Sequence, residues 1–219
     1  MRVVSVNVGL PQSVRWRGRD VTTGIFKGPV EGRVPLRHLN LDGDRQADLS
    51  AHGGAAKAVY AYPLEHYPFW RKELGQELPF GAFGENLTVD GLPLEEEVAV
   101  GDRLRIGTSE LVVTQPRIPC YKLGLRFDRD DIVRRFLASR RSGYYLAVEV
   151  EGDVGAGDQV EILARHPAGI PVAELTRVYT SDRDDLAGIE RFVALDALPE
   201  DWRRYFAKRL AAVGTTTAS

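Results

Sequence analysis

The first 166 residues consist of short β-branched runs that glycine and proline repeatedly interrupt. These runs are VVSVNV (3–8), KAVYAY (57–62), ENLTV (85–89), RLRIG (103–107), ELVVTQ (110–115), YYLAVEV (144–150) and QVEIL (159–163). Several of them alternate or are wholly apolar, which is typical of half-buried or core strands. Many short strands separated by turn residues predict a closed or nearly closed barrel.

Two helical patterns interrupt this β-rich part. One runs from about Pro63 into HYPFWRKEL, and the other spans roughly Asp130 to Arg141. Aspartates crowd the start of the second pattern and arginines its end, which matches the dipole of a helix. We therefore predict a mainly β domain with a few helices.

The pattern changes after residue 166. HPAGIP (166–171) is a linker signal, and three amphipathic patterns follow it: VAELTRVYT, DDLAGIERFVAL and PEDWRRYFAKRL. Trp202, Tyr205 and Phe206 recur at helical spacing, which predicts packing. The domain prediction is a β domain over 1–166, a three-helix appendage over 167–213 and a disordered tail over 214–219.

Composition and charge exclude several classes of protein. The net charge of −2 in 219 residues gives no global attraction to nucleic acid or an anionic membrane. One cysteine excludes an internal disulfide framework and an all-cysteine iron–sulfur cluster within the chain. The N-terminus has no long apolar run. These features predict a cytoplasmic protein with neither a nucleic-acid nor a membrane partner.

The single cysteine, Cys120, lies in the segment TQPRIPCYKLGLRF (114–127). Two prolines restrict the backbone before it, and the neighbouring Arg117 and Lys122 favour a thiolate over a thiol. A thiolate on a stiff loop is a soft metal ligand. The alternative is an inert buried cysteine, and the residues alone leave both interpretations open.

Three further segments carry polar groups that suit a ligand. LDGDRQADLSAHGGAAKAV (41–59) contains a glycine pair whose N–H groups can form an anion nest, with basic side chains beside it. The alternative is an ordinary solvated loop. PFGAFGENLTV (79–89) offers the amide of Asn86, and GIFKGPVEGR (24–33) offers Lys27.

The order GDRQADLSAHGGAAKAVYAYPLEHYPFW, FGENLTV, VGDRLRIG and TQPRIPCYKL resembles the MOSC family, which is named for the C-terminal domain of molybdenum cofactor sulfurases. The three-helix tail is similar to that of the YiiM-like branch, so the resemblance covers nearly the whole chain. It implies a β-barrel-like fold, a pyranopterin molybdenum cofactor in its molybdopterin form, and a cysteine thiolate on the metal. That cysteine is Cys120.

The resemblance also implies a cofactor site and a reaction. The cofactor's phosphate and polar ring would be held by Lys27, Arg45, Asp48, His52, Gly53, Gly54, Lys57, Asn86 and Arg117. The implied reaction is reduction of N-hydroxylated compounds such as 6-hydroxylaminopurine, with Tyr121 and the aromatics near His66 as candidate pocket walls. The chain has no flavin or nicotinamide fingerprint. We therefore expect electrons from a separate partner of the flavin reductase type.

Two other functions remain open at this point. The first is a sulfur carrier or sulfurtransferase in which Cys120 holds a persulfide, and metal analysis separates it from the reductase because a carrier needs no molybdenum. The second is a non-enzymatic cofactor-binding module whose tail docks a protein. The tail's helix spacing also suits DNA, but it has no dominant basic face.

Overall fold

The computed structural model describes residues 1–48 and 53–216, with side chains as far as residue 212. This part of the chain contains twelve strands. They are β1 (Arg2–Val8), β2 (Gln12–Trp16), β3 (Arg19–Thr23), β4 (Gly28–Pro29), β5 (Arg33–Leu36), β6 (Val59–Pro63), β7 (Leu87–Asp90), β8 (Arg103–Ile106), β9 (Ser109–Pro116), β10 (Tyr144–Val150), β11 (Gly152–Gly155) and β12 (Val160–Ala164). All seven strands predicted from the sequence are confirmed.

Eight strands form one sheet in the order β12-β8-β9-β10-β6-β7-β1-β4, and β6–β7 is its parallel pair. Backbone hydrogen bonds also join the start of β1 to the residues around the start of β12, with Val3 N to Asp158 O at 2.9 Å and Val160 N to Met1 O at 3.0 Å. These bonds draw the two regions together without a continuous ladder. The domain is therefore mainly β and barrel-like, but the sheet is not closed.

Six helices accompany the strands in the described residues. They are α1 (Tyr67–Leu74), α2 (Tyr121–Phe127), α3 (Ile132–Ser139), α4 (Val172–Thr180), α5 (Leu186–Ala194) and α6 (Glu200–Thr216). The three C-terminal helices are confirmed, and α2 lies where a loop was predicted. Helix α6 continues past residue 213 to Thr216, while 217–219 lie outside the described residues. In the part of the chain that the structure covers, no helix has the length and apolar character needed to cross a membrane.

The C-terminal helices share one hydrophobic core with the β domain. Leu175, Phe192 and Phe206 come from α4, α5 and α6, are fully buried, and belong to the same cluster as Leu104 and Val113 of the sheet. Backbone hydrogen bonds join residues 170–173 to residues 95–100. Because the apolar faces of the helices are covered by the sheet, the appendage is packed onto the β domain.

This shared core predicts different costs for two neighbouring substitutions in α6. Phe206→Ala should lower the free energy of unfolding by about 3–5 kcal/mol, because it leaves a cavity in the core. Tyr205→Ala should cost about 0.5–1.5 kcal/mol, because this half-exposed ring loses aromatic contacts and its contact with the Arg209 guanidinium but leaves no core cavity. Urea unfolding followed by circular dichroism measures both. A small cost for Phe206→Ala would show that the helices do not belong to the core.

Candidate functional site

One pocket lies where loops from several strands meet at the side of the β domain. It holds about 660 Å³ of space that protein atoms do not fill, its open mouth included, which suits a ligand of cofactor size. Its lining is Thr23, Gly24, Ile25, Lys27, Arg45, Gln46, Ala47, Lys57, Tyr60, Phe83, Gly84, Asn86, Arg117, Ile118, Cys120, Lys122 and Tyr145. Six of the nine cofactor and metal candidates that the structure describes therefore meet in one place.

Cys120 is half-buried and lines this pocket between a strand and a helix. Strand β9 ends at Pro116, which pairs with Tyr144 of β10. Cys120 is the N-cap of α2, and its carbonyl accepts a hydrogen bond from Leu123 N at 2.9 Å. The backbone of Cys120 is thus held between a strand and a helix, and the residue lies at the positive end of the helix dipole.

Five basic side chains share the pocket with the thiol. They are Lys27, Arg45, Lys57, Arg117 and Lys122. No carboxylate belongs to the pocket lining as far as the described residues go. The whole chain has a net charge of −2, so this local excess of positive charge is not a general property of the surface. It favours an anionic ligand.

Lys27 is held by a buried carboxylate behind the pocket wall. Its Nζ lies 2.7 Å from Asp44 Oδ2, and the two side chains are 10% and 0% exposed. Asp44 also accepts hydrogen bonds from Gly9 N at 3.0 Å and from Asn86 Nδ2 at 2.9 Å. Burial lowers the pKa of Lys27, and Asp44 opposes this by stabilising the charged form.

The loops that carry Lys27 and Arg45 approach too closely for side chains at two glycines. A Cβ on Gly24 would lie 2.3 Å from the Arg45 carbonyl oxygen, and one on Gly81 would lie 2.7 Å from the Lys27 carbonyl oxygen. Gly81 also has a φ of +82°, which disfavours other residues. Glycine is therefore required for these loops to bring both cations into one pocket.

The side-chain amide of Asn86, which the sequence suggested as a ligand contact, makes three hydrogen bonds within the protein. Its Oδ1 accepts a hydrogen bond from Tyr60 N at 3.0 Å, and its Nδ2 donates to Asp44 Oδ2 at 2.9 Å and to Asn7 O at 3.3 Å. Both amide N–H groups are thus engaged by the protein. Asn86 lines the pocket but acts as a brace that ties β1 and β6 to Asp44.

Arg117 is the buried cation nearest in sequence to Cys120. It is 6% exposed, and its guanidinium lies 5.6 Å from the Tyr60 ring and 5.1 Å from the Phe136 ring. Nη2 donates to the Phe83 carbonyl at 3.4 Å, whereas Nη1 is buried and has no hydrogen-bond partner among the described residues. A buried donor without an acceptor is costly, so an oxygen from a ligand in the pocket would satisfy it.

The loop that supplies Phe83 is fixed by the buried carboxylate of Glu85. This group accepts hydrogen bonds from Gly81 N at 2.9 Å, from Phe83 N at 3.0 Å and from the hydroxyl of Tyr67. Burial raises the pKa of Glu85, while these hydrogen bonds oppose the shift. Glu85 therefore holds in place the loop whose Phe83 carbonyl accepts the hydrogen bond from Arg117.

The structure does not bring Asp48, Gly53 and Gly54 into the pocket lining. Gly54 is exposed, has a φ of +99°, and begins the 3₁₀ turn over 55–57 by accepting a hydrogen bond from Lys57 N at 2.9 Å. It thus starts the turn that carries Lys57 to the pocket, and the anion nest stays a prediction. His52 lies outside the described residues.

The predicted aromatic walls also lie elsewhere. Tyr121 is 54% exposed and stacks on Trp16 outside the pocket. Tyr67 and Trp70, the aromatics near His66, are buried in a core cluster and do not line the pocket. Tyr145, which sequence reasoning missed, lines the pocket while its neighbour Tyr144 faces the core. Successive strand residues point to opposite faces. The tyrosine pair at the start of YYLAVEV therefore indicated that one of the two rings would face away from the core.

Comparisons with known proteins identify the family of the chain. Residues 48–161 match the MOSC domain, and 170–212 match the YiiM-like, 3-alpha helix domain. The chain is 43% identical over 207 residues to the uncharacterized protein YflK of Bacillus subtilis, covering 94% of this chain and 93% of that one. It is 35% identical over 152 residues to a "Reductase" of Gibberella moniliformis, covering 68% of this chain but 27% of the relative.

A solved structure shows the same arrangement of both parts. The crystal structure of YiiM from Geobacillus stearothermophilus superimposes with a TM-score of 0.81 at 33% identity, covering 95% of this chain and 98% of that one. The match includes the C-terminal helices as well as the sheet. The chain therefore belongs to the MOSC domain family, and its C-terminal helices are the three-helix domain found in YiiM-like proteins.

Proposed function

We propose that this protein is a molybdenum-cofactor-dependent reductase of N-hydroxylated compounds such as 6-hydroxylaminopurine, with Cys120 as the protein ligand to molybdenum. One observation carries the proposal: the only thiol and five basic side chains line the same pocket. Membership of the MOSC family and the name of the fungal relative support the general assignment. The more specific reaction is our inference.

The residues present fit such a cofactor. A thiolate is a soft ligand, and a single one suits a metal that brings further ligands on an organic carrier. Arg117 has a buried donor that needs an acceptor, and Arg45 makes no side-chain ion pair within the described part of the chain. These two groups, with Lys57 and Lys122, would hold the phosphate and the polar ring.

The cofactor, when bound, would supply the two-electron redox chemistry, and the chain would bind, orient and supply protons. Conversion of N–OH to N–H and water consumes two electrons and two protons. Burial raises the pKa of Tyr145, although the Arg117 charge opposes this, so the Tyr145 hydroxyl keeps its proton at neutral pH. We assign Tyr145 Oη as a hydrogen-bond donor to the substrate oxygen.

The electrons would come from a separate protein of the flavin reductase type, because the sequence carries no flavin or nicotinamide fingerprint of its own. We place the reaction in the cytoplasm, where a reducing environment keeps a lone thiol available. Under this proposal NAD(P)H alone does not support turnover, whereas reduced viologen does.

A sulfur carrier is the second candidate. Cys120 is half-buried in a pocket lined by cations, and such a pocket would also stabilise the anionic persulfide of a sulfurtransferase. The non-enzymatic binding module is the third candidate and uses the same pocket without turnover. Molybdenum content separates the sulfur carrier from the reductase, and amine formation separates the binding module from the reductase.

The test uses protein purified from a host that synthesises the cofactor. Molybdenum and pterin are measured first, and amine formation from 6-hydroxylaminopurine with reduced viologen is then followed by chromatography. We expect loaded protein that forms the amine. Loaded protein that forms none would overturn the substrate assignment, and protein that carries sulfane sulfur on Cys120 without molybdenum would favour the sulfur carrier.

Removing either of two pocket cations should weaken cofactor retention. Arg45→Ala and Lys57→Ala should each cost about 1.5–3 kcal/mol, because each removes a charged hydrogen bond to the anionic group. Pterin content after gel filtration measures the loss. Lys72→Ala, which removes an exposed lysine of α1 that does not line the pocket, is the matched control. Full retention in both pocket variants would show that the anion lies elsewhere.

A further inference from the structure

A second cleft adjoins the pocket, between the β domain and the C-terminal helices. Its lining is Lys57, Gln115, Ile118, Tyr145, Tyr179, Asp201, Trp202 and Tyr205. Three of these residues, Lys57, Ile118 and Tyr145, also line the pocket of Cys120. The two spaces therefore meet at these shared residues.

Aromatic rings from α4 and α6 form one wall of this cleft. The centroid of the Tyr179 ring lies 5.2 Å from that of Trp202 and 5.3 Å from that of Tyr205. Tyr205 is 36% exposed although it belongs to the aromatic stripe that the sequence assigned to packing. Tyr145 lies on the opposite, β-domain side. Aromatic rings on two sides of one cleft favour a flat aromatic ring as its ligand.

A buried acceptor lies in the same cleft. Gln115 is 3% exposed, and its Oε1 is buried with no hydrogen-bond partner among the described residues. A buried carbonyl oxygen without a donor is uncommon in folded proteins and calls for a ligand or water. Its natural partner is an N–H group, such as an amino or hydroxylamino substituent on the ring.

We propose that this cleft binds the planar heteroaromatic substrate, with its ring against Tyr145 and the Tyr179–Trp202–Tyr205 surface and its N–H donated to Gln115 Oε1. This inference rests on the proposed function and names its substrate site. The bound ring would then lie beside Lys57, Ile118 and Tyr145, the residues that this cleft shares with the pocket of Cys120. The three-helix domain supplies one wall, which gives it a part in substrate selection.

The test compares two ligands by calorimetry. 9-Methyladenine carries an exocyclic N–H donor, and 9-methylpurine has no N–H. The wild-type protein should bind 9-methyladenine about tenfold more tightly, which is the usual value of one hydrogen bond. Gln115→Met should abolish that difference. Tyr205→Ala should weaken both ligands about fivefold, whereas Tyr121→Ala, the other exposed aromatic, should change neither.

Two results would overturn the proposal that this cleft binds the substrate. They are the absence of saturable binding of 9-methyladenine to the wild-type protein, and undiminished binding to Tyr205→Ala. The outcome is separable from that of the proposed function. Purine binding in a loaded protein that forms no amine would overturn the proposed reaction but not the proposed substrate cleft. Amine formation with an unchanged KM in both Gln115→Met and Tyr205→Ala would overturn the cleft and leave the reaction.

Discussion

Replacing Cys120 with alanine should remove molybdenum from the protein and abolish amine formation from 6-hydroxylaminopurine. The thiol lines a pocket of five cations and is the chain's one cysteine, so no second thiol can replace it. Changing an outer partner of a metal ligand typically costs roughly 10–100-fold in affinity, and loss of the ligand itself should cost more. Mass spectrometry of the metal and chromatography of the amine measure both effects.

The fold should survive this substitution, because Cys120 is half-buried and its fixed position depends on backbone hydrogen bonds. Circular dichroism and thermal unfolding check that point. Cys120→Ser is the conservative control, since a hydroxyl is a much poorer soft-metal ligand than a thiolate. Equal molybdenum in the wild-type and Cys120→Ala proteins would place the metal elsewhere.

Replacing Asp44 with alanine should lower the free energy of unfolding by about 3–5 kcal/mol, because it leaves the buried charge of Lys27 without a partner. It also removes the acceptor of Gly9 N and of the Asn86 amide. Asp20→Ala removes an ion pair with Arg15 in which both side chains are about two-thirds exposed, and it should cost about 1 kcal/mol or less. Urea unfolding measures both variants.

The double variant Lys27→Met, Asp44→Leu separates charge from packing. It removes both buried charges, so it should be more stable than Asp44→Ala alone. Protein without cofactor suffices for this comparison, so its result does not depend on the proposed reaction. If Asp44→Ala and Asp20→Ala cost the same small amount, Asp44 does not hold Lys27 in the way that the geometry indicates.

Seven strands could be predicted because their apolar residues alternate or form continuous runs. Strands β2 and β3 were not predicted from the sequence because they lack that pattern. QSVRW and RDVTT are mostly exposed and form a separate two-stranded sheet. Their signal was in the turn: Arg17 and Gly18 have φ values of 49° and 76°, as a two-residue hairpin turn requires. Exposed hairpins are specified by turn residues more than by hydrophobic pattern.

Helix α2 was missed for a different reason. YKLGLRF contains Gly124, and glycine costs about 1 kcal/mol relative to alanine inside a helix. In the structure a Cβ at Gly124 would lie 3.0 Å from the Arg129 carbonyl oxygen. The following loop approaches so closely that glycine is favoured at this position, although glycine has a low helix propensity. This contact depends on the tertiary structure, so the sequence alone did not indicate it.

The residues of the candidate site were likewise predicted only in part from the sequence. Motifs pointed to Lys27, Arg45, Lys57, Arg117 and Cys120, and the structure places all five in the pocket lining, although their contacts with a cofactor stay predictions. Asp44 was not singled out, because nothing in the sequence distinguishes it from the other aspartates of its segment. Its burial depends on strands and loops that come together from distant parts of the chain.

The continuous core beneath the helices means that the three-helix domain is not a detachable module. Side chains of all three helices are buried in the same cluster as those of the sheet, so separating the two parts would expose apolar surface on both. We expect such a chain to unfold as one cooperative unit, so that free energy gained when a ligand binds in the pocket protects every part of that unit. The helices would thus be stabilised by a cofactor that they do not touch.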